Sequence, residues 1–297
     1  WKEEHVPAGR QRKYGPPPLK KLPVVYATPL HFSLKGYRGS FASWKDYGSW
    51  MRQLIEGRDN LSPVHAEKAR SIVSPVPDKR EKIRTLYEYM QRNTHYFFIG
   101  FGVGGNQPIP ADEVAENGYG DCKALSNYMK ALLKAVGIES YYTLVKSGEG
   151  KTIMEDFPCN QFDHVILCVP DDRDTIWLEC TDPISPFNYL GNFTCDRPVL
   201  AITPEGGQIL RTPAYRNDVN RAFTFSCITL QENGDALVSL EIKRTGLLFN
   251  DLYRVSESRP GSRKQWLADQ IGISNFDIEK EEYAFDRQSE IPEALAR

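Results

Sequence analysis

The chain has 297 residues, 40% of them hydrophobic and 26% charged, a composition that excludes disorder, a collagen-like repeat and a coiled coil. Its 37 basic and 39 acidic side chains leave a formal charge of −2, which gives no electrostatic case for a nucleic acid or an anionic membrane as partner. No apolar run approaches the roughly 18 residues of a membrane span. The cysteines, at 122, 159, 168, 180, 195 and 227, contain no C-x-x-C pair, so neither a metal site nor a cofactor is expected.

The length suits one large domain or two with a linker. Residues 1–39 open with a basic, proline-rich stretch that includes Pro16-Pro17-Pro18. They read as an extended linker or the tail of a missing upstream domain. The last residues are acidic, and both ends read as cut points of a longer protein.

From Ser43-Trp44-Lys45-Asp46, which resembles a capping box, a helix is predicted with Tyr47, Trp50, Met51, Leu54 and Ile55 on one face. A second helix runs from Val64 to Val73, and Asp78 caps a third carrying Ile83, Leu86, Tyr87 and Met90. Residues 95–107 read as a short strand and a glycine-rich loop. Their aromatics Tyr96, Phe97, Phe98 and Phe101 are expected in core packing rather than along a cleft. A short helix ends near Asn117-Gly118. The strongest helix follows, with an apolar stripe from Leu125 to Val136 and Gly137 at the left-handed closing position. Its Lys123, Lys130 and Lys134 read as a solvated face.

Strands are predicted at 138–145, 163–169, 175–180 and 199–202, where Cys168 and Cys180 read as small buried hydrophobes. A β-hairpin then joins 223–230 to 236–243 through Glu232-Asn233-Gly234-Asp235, and helical stretches lie near 247–257 and 262–271. Helices, then strands, then a separate hairpin region indicate an α+β protein, with helices packed on an antiparallel sheet and a C-terminal β-containing domain appended over 221–297.

Three residues carry a chemical signal. Cys122 follows Gly120-Asp121 at the start of the strongest helix. There the helix dipole favours thiolate, and the cysteine's own N–H points outward as an oxyanion donor. His164 begins an apolar strand that does not call for an imidazole. Pro170 to Asp174 is a turn centred on Asp172, so paired residues should have numbers summing to about 344, which sets Cys180 opposite His164 and Asp182 two residues beyond on the same face. Together they supply thiolate, base and orienting carboxylate. Gln107, in the glycine-rich loop, is the candidate for the second oxyanion donor.

Gly120-Asp121-Cys122-Lys123 opening a helix, then Phe162-Asp163-His164-Val165, then Leu178-Glu179-Cys180-Thr181-Asp182-Pro183 resembles the transglutaminase-like superfamily, a papain-like fold. The likeness is closest to bacterial multidomain members with flanking β-rich domains. Trp44 to Pro63 and Gly105-Asn106-Gln107-Pro108 also resemble that group. One departure is Ala124, where many relatives have an acid. The resemblance covers about 40–215 as the catalytic core. It implies Cys122 as nucleophile, His164 as general base and acid, and Asp182 as the group that fixes the imidazole tautomer. The implied function is a secreted or periplasmic cysteine-nucleophile peptidase or amidase acting through a thioester on a peptide or protein amide, with the neighbouring domains of the same polypeptide as partners. Two alternatives remain open: a transglutaminase proper, and a catalytically idle peptide- or glycan-binding module.

Overall fold

The computed structural model describes residues 24–98, 102–172, 174–273 and 275–297. Phe101 and the proline-rich stretch at the start lie outside them. The first element is a hairpin, β1 (His31–Leu34) with β2 (Tyr37–Ser40), inside the span read as linker. Lys35 and Gly36, both at positive φ (46° and 92°), make its tight turn. The hairpin is held because Phe32 stacks on Phe41 and meets Trp50 edge-on.

Trp50 belongs to α1 (Trp44–Ile55), whose N-cap Ser43 accepts from the Asp46 amide as the capping pattern predicts. The helix lies directly on the sheet at Gly48. A Cβ there would sit 2.0 Å from the Gly207 nitrogen, so only glycine allows this approach. Next come α2 (Pro63–Val73), with proline in its first turn, and α3 (Lys79–Asn93), capped by Asp78. A short parallel pair, β3 (His95–Tyr96) and β4 (Tyr119–Gly120), brackets α4 (Ala111–Asn117) and leads into α5 (Cys122–Ala135). Gly137, at φ 75°, follows α5.

The central antiparallel sheet has the order β7-β6-β5-β8-β9. Its strands are β5 (Tyr141–Val145), β6 (His164–Pro170), β7 (Thr175–Leu178), β8 (Pro198–Thr203) and β9 (Gly206–Arg211). Alternation along β6 sorts the core. Leu167 and Val169 pack with Leu125, Met129 and Leu132 of α5 and with Leu86 and Met90 of α3. Ile166 and Cys168 face the other way, onto Trp177, Leu190 and Cys195. Helices therefore cover one face of the sheet and an irregular segment covers the other.

A second sheet, β10-β11-β13-β12, comprises β10 (Ala222–Leu230), β11 (Ala236–Thr245), β12 (Tyr283–Asp286) and β13 (Glu293–Ala296). With α6 (Phe249–Ser256) and α7 (Pro260–Ile271) it builds a small core around Ile242, Phe249, Leu252 and Ala294. Phe223 pairs with Lys243 and Thr224 with Ile242, so the two apolar rows of the hairpin point to opposite faces. This unit touches the first: the Tyr189 hydroxyl donates to the Gly246 carbonyl at 3.1 Å, and Arg287 reaches the Pro183 carbonyl at 3.4 Å. The α+β architecture, with helices on an antiparallel sheet and a C-terminal β-containing unit, is the one expected from the sequence. Among the described residues no helix is long and apolar enough to cross a membrane.

Candidate active site

Asp121 starts the site. As N-cap of α5 its Oδ1 accepts from the Ala124 amide at 3.0 Å, and Oδ2 takes the Lys123 ammonium. Both side chains are buried, so Lys123 does not belong to the solvated face. Lys130 and Lys134 reach Asp59 instead of solvent alone. Cys122 is the first helical residue, and its N–H is one of the donors that an α-helix leaves unused at that end. The thiol is 8% exposed and packs among Tyr47, Met51, Tyr142, Leu144 and Val165.

His164 opens β6 and is itself 8% exposed. The ring and the Cys122 side chain line the same cavity. Its Nε2 lies 3.1 Å from each carboxylate oxygen of Glu179, which leaves Nδ1 as the nitrogen for the thiol. Phe193 meets the imidazole edge-on at 5.4 Å between ring centroids. The imidazole thus faces the carboxylate and shares a cavity wall with the thiol.

The carboxylate in that line is Glu179 and not Asp182. Leu167 pairs with Leu178 and Pro170 with Thr175, so the hairpin is centred between two residues instead of on Asp172. That single-residue difference moves every side chain to the other face. Continuing the ladder sets Thr181 opposite His164 and Glu179 as the same-face diagonal neighbour, while Cys180 turns into the helical core. Asp182 closes a turn instead: its Oδ1 accepts from the Ile184 amide at 3.0 Å, and its carbonyl accepts from the Gln91 amide at 2.9 Å. Glu179 is fully engaged, accepting from the Thr181 hydroxyl at 2.6 Å as well as facing His164. Its backbone carbonyl accepts from the Tyr87 hydroxyl at 2.8 Å, which anchors the chain at that point.

Electrostatics follow the geometry. Burial works against a charged His164, but the Glu179 charge and the hydrogen bonds to Cys122 and Glu179 outweigh it and push the imidazole pKa up to about 10. Burial likewise opposes the Glu179 carboxylate, and the His164 charge with the Thr181 hydroxyl carries its pKa below the ordinary value. Asp182 moves the opposite way, raised by burial and, next in that direction, by the nearby Glu179 charge.

Gln107, the expected second oxyanion donor, has both ends of its side chain engaged elsewhere. Its amide nitrogen donates to the Leu54 carbonyl at 2.9 Å, and its oxygen accepts from Arg58 at 3.2 Å, so it ties the loop to α1. The residues of that loop that line the cavity beside Cys122 are Gly105 and Asn106. This cavity has a volume of about 80 Å³ and is bounded by Tyr47, Met51, Tyr142 and Leu144, with Asn160 at its edge. Tyr96, Phe97 and Phe98, expected in the core, are exposed. The reason is local: β3 is two residues long and, among the described residues, pairs only with β4. Tyr96 pairs with Gly120. Its phenol pKa is raised first by burial and then by the Cys122 and Asp121 charges.

The sequence reading did not single out Glu179 as the partner of His164. A count centred between two turn residues would have found Glu179. No group of three or more His, Cys, Asp or Glu side chains suited to a metal occurs among the described residues.

Residues 66–181 match the family model of the transglutaminase-like superfamily. The match begins within α2, ends three residues past β7 and holds Cys122, His164 and Glu179, with Asp182 one residue outside it. Two solved structures are similar. One is a provisionally assigned protease from Parabacteroides distasonis ATCC 8503, with 10% identity and a TM-score of 0.47 over 93% of this chain and 57% of that one. The other is a provisionally assigned cysteine protease from Cytophaga hutchinsonii, with 16% identity and a TM-score of 0.33 over 43% of this chain and 40% of that one. The chain thus spans about half the length of each of these two. No curated protein sequence matches it.

Proposed function

We propose that this chain is a cysteine-nucleophile acyl-transfer enzyme that hydrolyses peptide or amide bonds, with Cys122, His164 and Glu179 as its reacting set. The observation that carries the reading is the buried His164 ring, which faces both oxygens of Glu179 and shares one cavity lining with the Cys122 thiol at the end of the sheet. A protonated imidazole beside sulfur is what a thiolate nucleophile requires. Glu179 holds the ring in place and stabilises its charged form.

In the first half-reaction the Cys122 sulfur adds to the substrate carbonyl carbon. The carbonyl electron pair moves to oxygen, which the Cys122 N–H stabilises. As the C–N bond breaks, His164 gives its proton to the departing amine, leaving a thioester on Cys122 and a neutral imidazole. In the second half-reaction His164 removes a proton from water as its oxygen attacks the thioester carbon. The C–S bond then breaks, releasing a carboxylic acid and restoring the thiolate–imidazolium pair.

The test is labelling with iodoacetamide near pH 6, followed by peptide mapping, and then a peptide-library cleavage screen. Selective alkylation of Cys122 over the other five cysteines, abolished in His164→Ala, is expected. Slow and equal alkylation of all six would instead leave a binding module on this fold. Cleavage that gives way to amine incorporation when an amine is added would assign the chain to transglutamination.

A further inference from the structure

The ladder between β6 and β7 ends at the pair Leu167 and Leu178, one residue before Glu179. From Glu179 to Ser185 the chain is irregular, so its carbonyls need partners from outside a sheet. Three side chains supply them. The Tyr87 hydroxyl donates to the Glu179 carbonyl at 2.8 Å and lies 3.2 Å from that of Ser185. The Gln91 amide nitrogen donates to the Asp182 and Ser185 carbonyls, each at 2.9 Å. Arg287 Nη2 donates to the Pro183 carbonyl at 3.4 Å and to Gln91 Oε1 at 3.3 Å. Tyr87 and Gln91 are buried residues of α3, whereas Arg287 follows β12 in the C-terminal unit.

The loop that carries Arg287 is seated on α3 by its next residue. Arg84 Nη1 donates to Gln288 Oε1 at 2.8 Å, and Gln288 Nε2 donates to Glu88 Oε1 at 3.3 Å. Arg84, Glu88 and Gln91 are spaced four and three residues apart, so they share one face of the helix. That face receives the C-terminal unit at Arg84 and Glu88 and passes the contact to the turn after Glu179 at Gln91. Gln91 is the joint: its oxygen accepts from Arg287 while its nitrogen holds two carbonyls of the turn. Removing Nη2 would leave that buried oxygen without this donor, a costly change that loosens the joint.

We infer that Arg287 is a positioning residue for the Glu179 carboxylate: from the C-terminal unit it holds Gln91 and the Pro183 carbonyl, and so fixes the turn that keeps Glu179 against His164. The inference rests on the reading of Glu179 as the group that stabilises the charged imidazole beside Cys122. A reacting set has to be held within about 0.5 Å by supporting hydrogen bonds, and past the end of a ladder side chains must provide them. The Thr181 hydroxyl also holds a Glu179 oxygen, but Thr181 belongs to the same irregular stretch and moves with it.

The experiment follows alkylation of Cys122 by iodoacetamide at pH 7, read by mass spectrometry in the whole chain. It compares wild type, Arg287→Met, Arg287→Lys, Glu179→Gln and the double variant of Arg287→Met with Glu179→Gln. Methionine keeps an apolar stem and removes the donors, whereas lysine keeps a charged donor. Arg287→Met is expected to slow Cys122 about 10-fold and Arg287→Lys no more than about 3-fold. Added to Glu179→Gln, Arg287→Met should change the rate by less than about 2-fold, since the turn then has no carboxylate to position. Cys168 and Cys180, both buried, should stay as unreactive as in wild type. Arg287→Met labelling at the wild-type rate would overturn the inference. So would equal slowing in both backgrounds, or faster alkylation of Cys168 and Cys180, because either marks a general loosening of the fold. Failure of the underlying reading appears separately, as Glu179→Gln alone labelling Cys122 at the wild-type rate.

Discussion

The thiol end and the carboxylate end of the site are built by different means. Cys122 is placed within one helical turn: Asp121 caps α5 through the Ala124 amide and pairs with Lys123, all within three residues of the sulfur. Glu179 is placed across a hairpin. It comes beside His164 only because β6 and β7 pair Leu167 with Leu178, and a Thr181 hydroxyl and a Tyr87 anchor then hold it. A capped helix end is correct for any tertiary neighbour, whereas a register slipped by one residue delivers the wrong side chain altogether.

The largest expected effect separates these ends by stability. Cys122→Ala and His164→Ala should each lower amide hydrolysis by at least about 10⁴-fold. Cys122→Ala should cost no more than about 1 kcal/mol, because alanine suits the helix and little volume is lost. His164→Ala should cost about 3–5 kcal/mol, because it leaves the Glu179 carboxylate buried without its counter-charge. Urea denaturation of both variants at pH 7 makes the comparison. Equal costs would remove the distinction.

Glu179→Gln comes next, with activity down about 10²–10⁴-fold. The high-pH limb of the rate profile should move from about 10 toward the ordinary imidazole value. Stability should follow the same pair. His164 has a folded pKa above its unfolded one, so its contribution is complete below about 6.5 and is lost as pH rises toward about 10. Glu179 has a folded pKa below its unfolded one, so its contribution is present above about 4.5 and is lost on acidification. Thermal melts of wild type should therefore peak between these limits, and Glu179→Gln should flatten the alkaline descent. A descent that survives in the variant would assign it to other groups.

Asp121→Ala should reduce stability by at least about 1–2 kcal/mol, through loss of the cap and of the carboxylate that faces the buried Lys123 ammonium, read by chemical denaturation. Cys122 labelling by iodoacetamide should slow less than in Glu179→Gln. The smallest effect belongs to Asp182→Asn. Activity should stay within about 2-fold and stability within about 0.5 kcal/mol, since asparagine can still accept from the Ile184 amide. A loss as deep as that of Glu179→Gln would return Asp182 to the imidazole and require a different register.

How much was readable in advance follows the same division. The capping residues Ser43, Asp78 and Asp121 and the closing glycines Gly118 and Gly137 mark helix ends that the structure reproduces closely. Period-2 and period-3.6 patterns placed most strands and every long helix. The hairpin at 31–40 was missed because its apolar content is small and its stability comes from stacking on α1. β9 was missed because Gly206 and Gly207 disguise a strand, glycines needed where α1 lies against the sheet.

Cys122 and His164 stand out in the sequence, each within its own element, as a cysteine opening a capped helix and a histidine heading an apolar strand, and the structure sets both in the lining of one cavity. Such signals depend on backbone geometry over a few residues, which local side chains determine. The choice of Glu179 over Asp182, the diversion of Gln107 to Leu54 and Arg58 and the burial of Lys123 were decided by tertiary structure alone. Each depends on which distant surfaces meet. A shift of one residue in a strand pair leaves the hydrophobic pattern almost unaltered while exchanging one carboxylate for another.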